Sequence, residues 1–323
     1  MPITFNRREF IGYALVTQVL GPASAKAATV PLKAVATTGM IADAIGRVGG
    51  GLVEVKSLMG PGVDPHSYRQ TRSDIVSMTR ADMVFWHGLN LEAQMEEFLV
   101  RLSRRGGVIA VAETLPGELL IGHPDYQGRY DPHVWMVPDL WKNVVRTVED
   151  ALKLRMPGHA TEIAENSNLY IGEIDRLGSY VRSILDTVPK TRRVLLTAHD
   201  AFGYFGRAYG FDVVGIQGIS TESEVGLNRM RMLVEMIVER DVKAVFVETS
   251  VSDRNVRALI EGAAARGHEV KLGGELYSDA MGKSGTYEGT YMGMIDHNAT
   301  TIAGSLGGVV PPHGMNGMLA AAF

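Results

Sequence analysis

The chain has 323 residues, with 32 lysines and arginines against 36 aspartates and glutamates, and its formal net charge is −4. The sequence contains no cysteine, which excludes disulfide partners and thiol chemistry, and its acidic balance excludes a nucleic-acid-binding protein that works through a global basic field. At roughly 150 residues per domain the length predicts about two domains, and charged residues interrupt each apolar stretch beyond the N-terminus before it reaches the roughly 20 residues of a membrane span.

The first 27 residues have the order of an export signal. Adjacent Arg7 and Arg8 precede a modestly apolar run over 11–20, and small residues follow it. The order Arg-Arg-x-Phe-Ile resembles a twin-arginine signal. The small residues after the apolar run predict cleavage after Ala27, with cleavage after Ala25 as a second option. We therefore expect a periplasmic protein that is soluble after cleavage and that, without cysteine, has no lipid anchor. An uncut N-terminal helix that tethers the protein to a membrane is the alternative.

From residue 32 onward, short apolar runs alternate with segments of helical periodicity, which is typical of an α/β fold with parallel sheets covered by helices. In the first half the strands are predicted at 32–35, 53–58, 83–86 and 108–111, and the helices at 41–48, 74–80, 91–102 and 139–154. In the second half the strands are predicted at 194–197, 213–216, 244–248 and 270–272, and the helices at 201 onward, 227–240, 253–266 and 289–306.

The two halves are separated by residues 158–187, which contain no strand-like segment and carry apolar residues at helical spacing. One long helix between Pro157 and Pro189 fits this pattern. The last residues, rich in Gly, Pro and Met, are typical of a frayed end. The predicted organisation is an N-terminal α/β lobe, a linking helix, a C-terminal α/β lobe and a flexible tail, at 28–156, 157–189, 190–307 and 308–323.

Three histidines and one aspartate lie where strands run out into loops. His66, His199 and Asp279 each follow a predicted strand, and His133 lies in a proline-containing turn before a helix. In open α/β sheets ligands bind beyond the carboxyl ends of the strands. Three imidazoles and one carboxylate can complete a shell around a divalent ion. The four residues are far apart in sequence and form no local motif, so their spacing alone leaves the function open.

Four segments resemble the ligand segments of the TroA-like receptors, the zinc-, manganese- or iron-binding proteins of ABC importers. In chain order they are GVDPHSY at 62–68, DPHVW at 131–135, TAHDAFGYF at 197–205 and GELYSD at 274–279. The resemblance covers the chain from 32 to about 306. It implies two similar α/β lobes joined by one long rigid helix, with the metal in the cleft between the lobes.

Carried over position by position, the resemblance implies that the metal ligands are His66, His133, His199 and Asp279. It also implies that the partners are an ABC permease and its ATPase subunit at the inner membrane. We expect a monomer that binds one ion as cargo and catalyses no reaction.

Some features of the sequence favour zinc as the bound metal and others favour manganese. Manganese receptors of this kind often have Glu in place of His199, and dedicated zinc receptors usually carry a long loop rich in His and Asp, whereas the segment 115–130 contains only His123. Three imidazoles favour zinc, but a carboxylate that binds through both oxygens suits manganese. We expect Mn²⁺ as the main cargo and Zn²⁺ as a second one, with Fe²⁺ as a third candidate.

Three carboxylates are candidates for accepting a hydrogen bond from the second ring nitrogen of a ligand histidine. Asp64 and Asp131 each precede a Pro-His pair, where an aspartate either accepts a hydrogen bond from the ring or caps the turn. Glu248 ends a predicted strand near the expected cleft. His87 also ends a strand, and we expect it to be a core or rim residue.

Two other functions remain as alternatives. The first is a metal-dependent hydrolase or lyase in which Asp200 or Glu248 acts as the base beside the same three histidines. A shell of four protein ligands leaves no open position for substrate, and the sequence has no Gly-x-Ser-x-Gly, His-Glu-x-x-His or phosphate-loop motif. The second is a surface adhesin, for which the sequence contains no recognisable surface anchor.

Overall fold

The structure is a computed structural model that describes Met1, residues 30–124 and residues 126–320. The predicted export signal lies outside these residues apart from Met1. The chain from Pro31 onward forms one unit. Among the described residues, no helix combines the length and the apolar character needed to cross a membrane.

In the described part of the first half, four parallel strands form a sheet in the order β2-β1-β3-β4. These strands are β1 (Leu32–Ala36), β2 (Val53–Ser57), β3 (Met83–Trp86) and β4 (Val108–Ala110). From β1 the chain first forms β2 on one side and then returns to form β3 and β4 on the other side. The strand order therefore reverses between β1 and β3, and a crevice forms at the carboxyl ends of the strands at such a point. All four strands occur where the apolar runs predict them.

The helices that accompany this sheet are α1 (Gly39–Gly49), α2 (Arg72–Arg80), α3 (Glu96–Ser103) and α4 (Pro138–Arg155). Thr71 and Asp74 form a capping box at the start of α2, so the helix begins two residues before its predicted start at 74. The helix predicted to begin at residue 91 begins five residues later. The reason is that the backbone of Leu89 and Asn90 is left-handed and Glu92 turns back to accept hydrogen bonds from the backbone of residues 87 and 88.

A single helix of 26 residues, α5 (Ala160–Leu185), follows and confirms the long helix predicted between the two prolines. Its length is about 39 Å at 1.5 Å per residue. Its buried stripe includes Ile163, Ile174 and Leu177, and the helix packs against α1, α4 and a helix of the second half. The helix therefore shares its apolar face with both halves.

Two residues of α5 test how much its buried face contributes to the stability of the fold. Ile174→Ala removes a fully buried side chain and should lower the free energy of unfolding by about 2–5 kcal/mol. Leu169→Ala on the same helix removes a side chain that is 69% exposed and should change it by less than about 0.5 kcal/mol. Urea denaturation of both variants measures the difference, and equal midpoints would contradict the packing described here.

The second half contains two parallel pairs of strands, with β5 (Val194–Thr197) paired to β6 (Asp212–Gly215) and β7 (Ala244–Glu248) paired to β8 (Lys271–Leu276). Its helices are α6 (Gly203–Tyr209), α7 (Leu227–Glu239), α8 (Arg254–Ala264) and α9 (Tyr291–Ser305). Strand β8 is longer than predicted, because it continues beyond a register irregularity opposite Val245 and Phe246. The two α/β halves and the long helix confirm the predicted fold class.

The segment 308–320, where composition predicts a flexible tail, makes defined contacts. The N–H of Gly308 donates to the carbonyl of Ala303. The N–H of Met315 donates to both carboxylate oxygens of Asp296 on α9, at 3.1 and 2.9 Å. Composition could not predict this arrangement, because it depends on an aspartate in the helix that the segment covers.

Candidate metal centre

His66 is presented by a tight turn after β2. Asp64 shapes this turn, since its Oδ1 accepts from the backbone N–H of His66 at 2.9 Å and its Oδ2 accepts from the Ser67 hydroxyl at 2.9 Å. Gly62 adopts a left-handed φ of 70°, and a Cβ there would lie 3.3 Å from the carbonyl oxygen of Thr249. The turn therefore approaches the second half of the chain closely.

His133 is held by the aspartate two residues before it. Asp131 Oδ1 accepts from the backbone N–H of His133 at 2.9 Å and lies 2.7 Å from its ring Nδ1. One carboxylate thus both shapes the turn and orients the ring, the two functions that the sequence left as alternatives. The N–H on Nδ1 leaves Nε2 with a free lone pair, the form in which imidazole binds a metal.

His199 and Asp279 come from the second half. His199 follows β5, and Glu248 at the end of β7 accepts from its backbone N–H at 2.9 Å and lies 2.5 Å from its ring Nδ1. Asp279 follows β8, and the Ser250 hydroxyl lies 3.4 Å from its Oδ2. Glu248 therefore does for His199 what Asp131 does for His133.

The four predicted ligands converge. One donor atom from each of His66, His133, His199 and Asp279 lies within 4.8 Å of all the others, and all four residues are buried. His133 Nε2 lies 3.3 Å from the Nε2 atoms of both His66 and His199 and 3.3 Å from Asp279 Oδ1. The 3.3 Å distances from His133 Nε2 equal the edge of a regular tetrahedron whose corners lie about 2.0 Å from its centre, which is the Zn–N bond length in proteins.

The carboxylate of Asp279 is arranged for a cation. Its Oδ1 is buried and has no hydrogen-bond partner among the residues that the structure describes. Its Oδ2 lies 3.2 Å from His199 Nε2, so that each oxygen faces a different imidazole. A buried carboxylate oxygen without a partner costs free energy unless a proton or a metal satisfies it. The donor set therefore fits a divalent ion.

Without a metal, protons bind at the same place. Burial opposes a charge on His133, but the carboxylates of Asp131 and Asp279 raise its pKa to about 9. Burial likewise opposes a charge on His199, but Asp279 and Glu248 raise its pKa well above 6.5. Burial dominates at His66 and lowers its pKa to about 4. Two of the three rings are thus protonated at neutral pH.

Glu248 allows a direct test of ring orientation. In Glu248→Gln the side-chain amide N–H faces His199 Nδ1 and favours the tautomer with the proton on Nε2, which cannot bind a metal. We expect the affinity for Mn²⁺ and Zn²⁺ to fall about 10–100-fold, as measured by competition with a chelator. Glu275→Gln removes the same charge from an exposed position and serves as the control. Equal affinities of the two variants would show that Glu248 does not orient the ring.

Asp64 and His87 are not among the four converging donors. Within the described residues the bonds of Asp64 go to the backbone of its own turn, to Ser67 and, at 2.6 Å, to the Thr221 hydroxyl, and none goes to the His66 ring. His87 is a buried core residue, as expected, with its Nε2 2.7 Å from the carbonyl of Pro132. A cavity of about 420 Å³ leads to His66 and is lined by both halves of the chain.

Sequence reasoning missed the buried residues behind the ligands. Glu92 is fully buried and accepts from the Thr37 hydroxyl and from the backbone at the end of β3. The Tyr204 hydroxyl donates to the carbonyl of Asp131 at 2.7 Å. Trp135 is fully buried and donates its indole N–H to the carbonyl of Ser278 at 2.7 Å. No pattern in the sequence distinguishes Glu92, because the polar residues Asn90, Gln94 and Glu96 lie beside it.

Comparison with known proteins places the chain in a family. The model described as zinc-uptake complex component A, periplasmic, matches residues 34–305. The chain is 45% identical over 282 residues to the manganese-binding lipoprotein MntA of Bacillus subtilis (strain 168), with 87% of this chain and 92% of the relative covered. It is 44% identical over 290 residues to the zinc-binding protein TroA of Treponema pallidum (strain Nichols), with 90% and 93% covered.

The solved structure of the periplasmic zinc-binding protein TroA from Treponema pallidum is similar to this one, with a TM-score of 0.84 over 86% of this chain and 99% of that chain. The family consists of solute-binding receptors, which leaves the hydrolase or lyase alternative without support. The family match extends across both α/β halves and the helix between them. The chain therefore belongs to the family of periplasmic metal-binding receptors of ABC importers.

Proposed function

We propose that this protein binds one Mn²⁺ or Zn²⁺ ion through His66, His133, His199 and Asp279 and delivers it to the permease of an ABC importer. The observation that carries the proposal is the convergence of four buried donor atoms within 4.8 Å. Four protein ligands fill a tetrahedral shell and leave no open position for substrate, which suits capture and delivery. The metal is cargo and not a catalyst.

Two features of the site bear on the metal. The 3.3 Å distances from His133 Nε2 to the Nε2 atoms of His66 and His199 suit the short bonds of zinc. The two oxygens of Asp279 face different imidazoles, so binding through both would give five protein donors, which suits manganese. We propose Mn²⁺ as the main cargo, with Zn²⁺ bound by the same residues and Fe²⁺ as a third candidate. One relative named above is described as manganese-binding and the other as zinc-binding.

We also propose that the protein reaches the periplasm through the twin-arginine route, is cleaved after Ala27 and acts as a soluble monomer. The support is the Arg7-Arg8 pair followed by an apolar run and small residues. Mass spectrometry of the periplasmic protein gives the mature N-terminus, and an intact mass that retains Arg7 and Arg8 would contradict cleavage. Sedimentation of the mature protein gives its oligomeric state.

Calorimetric titration of the mature, chelator-stripped protein with Mn²⁺ and Zn²⁺ separately tests the proposed function. We expect one tight site per chain for each metal and competition between the two. Stoichiometry of one ion with mutual displacement supports a single shared site. A wild-type protein that binds neither metal would refute both the site and the receptor function proposed here.

A further inference from the structure

Trp135 connects the two segments that carry His133 and Asp279. It lies two residues after His133, it is fully buried, and its indole Nε1–H donates to the carbonyl of Ser278 at 2.7 Å. Ser278 immediately precedes Asp279. One side chain of the first half is therefore hydrogen-bonded to the peptide that positions a ligand from the second half.

The orientation of the Trp135 indole is fixed on several sides. Its ring is near perpendicular to that of His87, with centroids 4.9 Å apart, and is steeply inclined to that of His133 at 5.1 Å. The carbonyl of Trp135 accepts from the Tyr291 hydroxyl at 2.9 Å. Rotation of this fully buried ring would break the bond to Ser278, and close-packed protein interiors leave little free volume for it.

Within the second half, the Asp279 carboxylate contacts His199 and, more weakly, the Ser250 hydroxyl. The Ser250 hydroxyl lies 3.4 Å from Asp279 Oδ2, at the limit of a hydrogen bond, and 2.9 Å from the Ser278 hydroxyl. On the other side of Ser278, the N–H of Tyr277 donates to Asn298 on α9 at 2.9 Å. The bond from Trp135 therefore connects the His133 turn to the backbone of the Asp279 segment, in addition to the 3.3 Å approach of His133 Nε2 to Asp279 Oδ1.

We propose that Trp135 is a positioning residue that holds His133 and Asp279 at the spacing a small tetrahedral ion requires and thereby sets the affinity for Zn²⁺ relative to Mn²⁺. This inference rests on the proposed function of the four ligands. Without the bond, the Asp279 segment can move away from His133. Zn²⁺ needs four short bonds and loses affinity when the site expands, whereas Mn²⁺ accepts more ligands, including water, in a wider site.

The chain provides a matched control in Trp141. This residue is also fully buried, and it stacks on Tyr291 with ring centroids 5.2 Å apart. Its indole Nε1 has no hydrogen-bond partner in the described part of the chain. Trp135→Phe and Trp141→Phe therefore remove the same group from the same core, but only the first removes a bond to a ligand segment.

The experiment is a competition titration of wild type, Trp135→Phe and Trp141→Phe with Zn²⁺ and Mn²⁺, after thermal unfolding has shown that each variant is folded. We expect Trp135→Phe to lower the Zn²⁺ affinity about tenfold and the Mn²⁺ affinity less than about threefold, in the range seen for groups that orient metal ligands. Trp141→Phe should leave the ratio of the two affinities unchanged. The absorption spectrum of bound Co²⁺ should lose tetrahedral character in Trp135→Phe only.

An unchanged ratio and Co²⁺ spectrum in Trp135→Phe, or the same change in both variants, would overturn the inference. If Trp135→Phe does not fold, Tyr291→Phe removes the hydroxyl that anchors the Trp135 backbone and should shift the ratio in the same direction by a smaller factor; no shift there would also overturn it. Failure of the proposed function is a different result, because the wild type itself would then bind neither metal.

Discussion

His199→Ala should lower the affinity for both Mn²⁺ and Zn²⁺ by more than about 100-fold, which exceeds the 10–100-fold effect of losing a group that only orients a ligand. The variant removes a donor whose Nε2 lies 3.3 Å from His133 Nε2 and 3.2 Å from Asp279 Oδ2. Three donors remain, and water must complete the shell. Calorimetric titration of the chelator-stripped variant measures the loss.

Two further variants make this result specific. His159→Ala removes an imidazole outside the cluster, whose ring contacts Glu162, and should bind both metals like the wild type. Asp279→Asn keeps the shape of the ligand but removes its charge, and should also lose more than about 100-fold. Because His199→Ala leaves the Glu248 carboxylate buried without its partner, unfolding is measured first. Wild-type affinity in a folded His199→Ala protein would disprove the site.

Metal affinity should fall steeply with acid, since two protons occupy the site that the metal requires. His133 has a pKa of about 9 and His199 a pKa well above 6.5, whereas His66, with a pKa of about 4, is already neutral. Each metal ion bound near pH 7 should therefore release about two protons, and each unit of lower pH between about 5 and 7 should weaken binding about 100-fold. Titrations in buffers of different ionisation enthalpy count the protons.

The metal-free protein should show the opposite dependence of stability on pH. Because the pKa of His133 is higher in the folded protein than its unfolded value of 6.5, the stability from its protonation is fully present below pH 6.5 and is lost as the pH rises toward about 9. The metal-loaded protein should instead lose stability as the pH falls. Melting temperatures of both forms from pH 5 to 9 test this, and parallel curves for the two forms would be inconsistent with exchange of protons for metal.

The sequence by itself determined the order of strands and helices, the long helix α5 and the four residues that the structure brings together. Strands and helices are encoded locally, in apolar periodicity and in bounding prolines. The four candidate ligands were identifiable because they follow strand ends or lie in a proline-containing turn, within segments that resemble those of a known family. Local pattern was less accurate for α3, whose start depends on the carboxylate of Glu92 folding back onto the chain before it.

Only the tertiary structure decided which residues form hydrogen bonds with the ligands and their segments. Asp64 and Asp131 occupy the same position relative to a Pro-His pair, yet Asp131 bonds the ring of its histidine and Asp64 instead meets the Thr221 hydroxyl. The bond from Trp135 to Ser278 joins residues 143 positions apart in the chain. Such contacts depend on how distant segments pack, and a pattern read along one chain contains no distance between those segments. The spacing of the donors, and with it the choice between metals, is therefore a property of the folded protein.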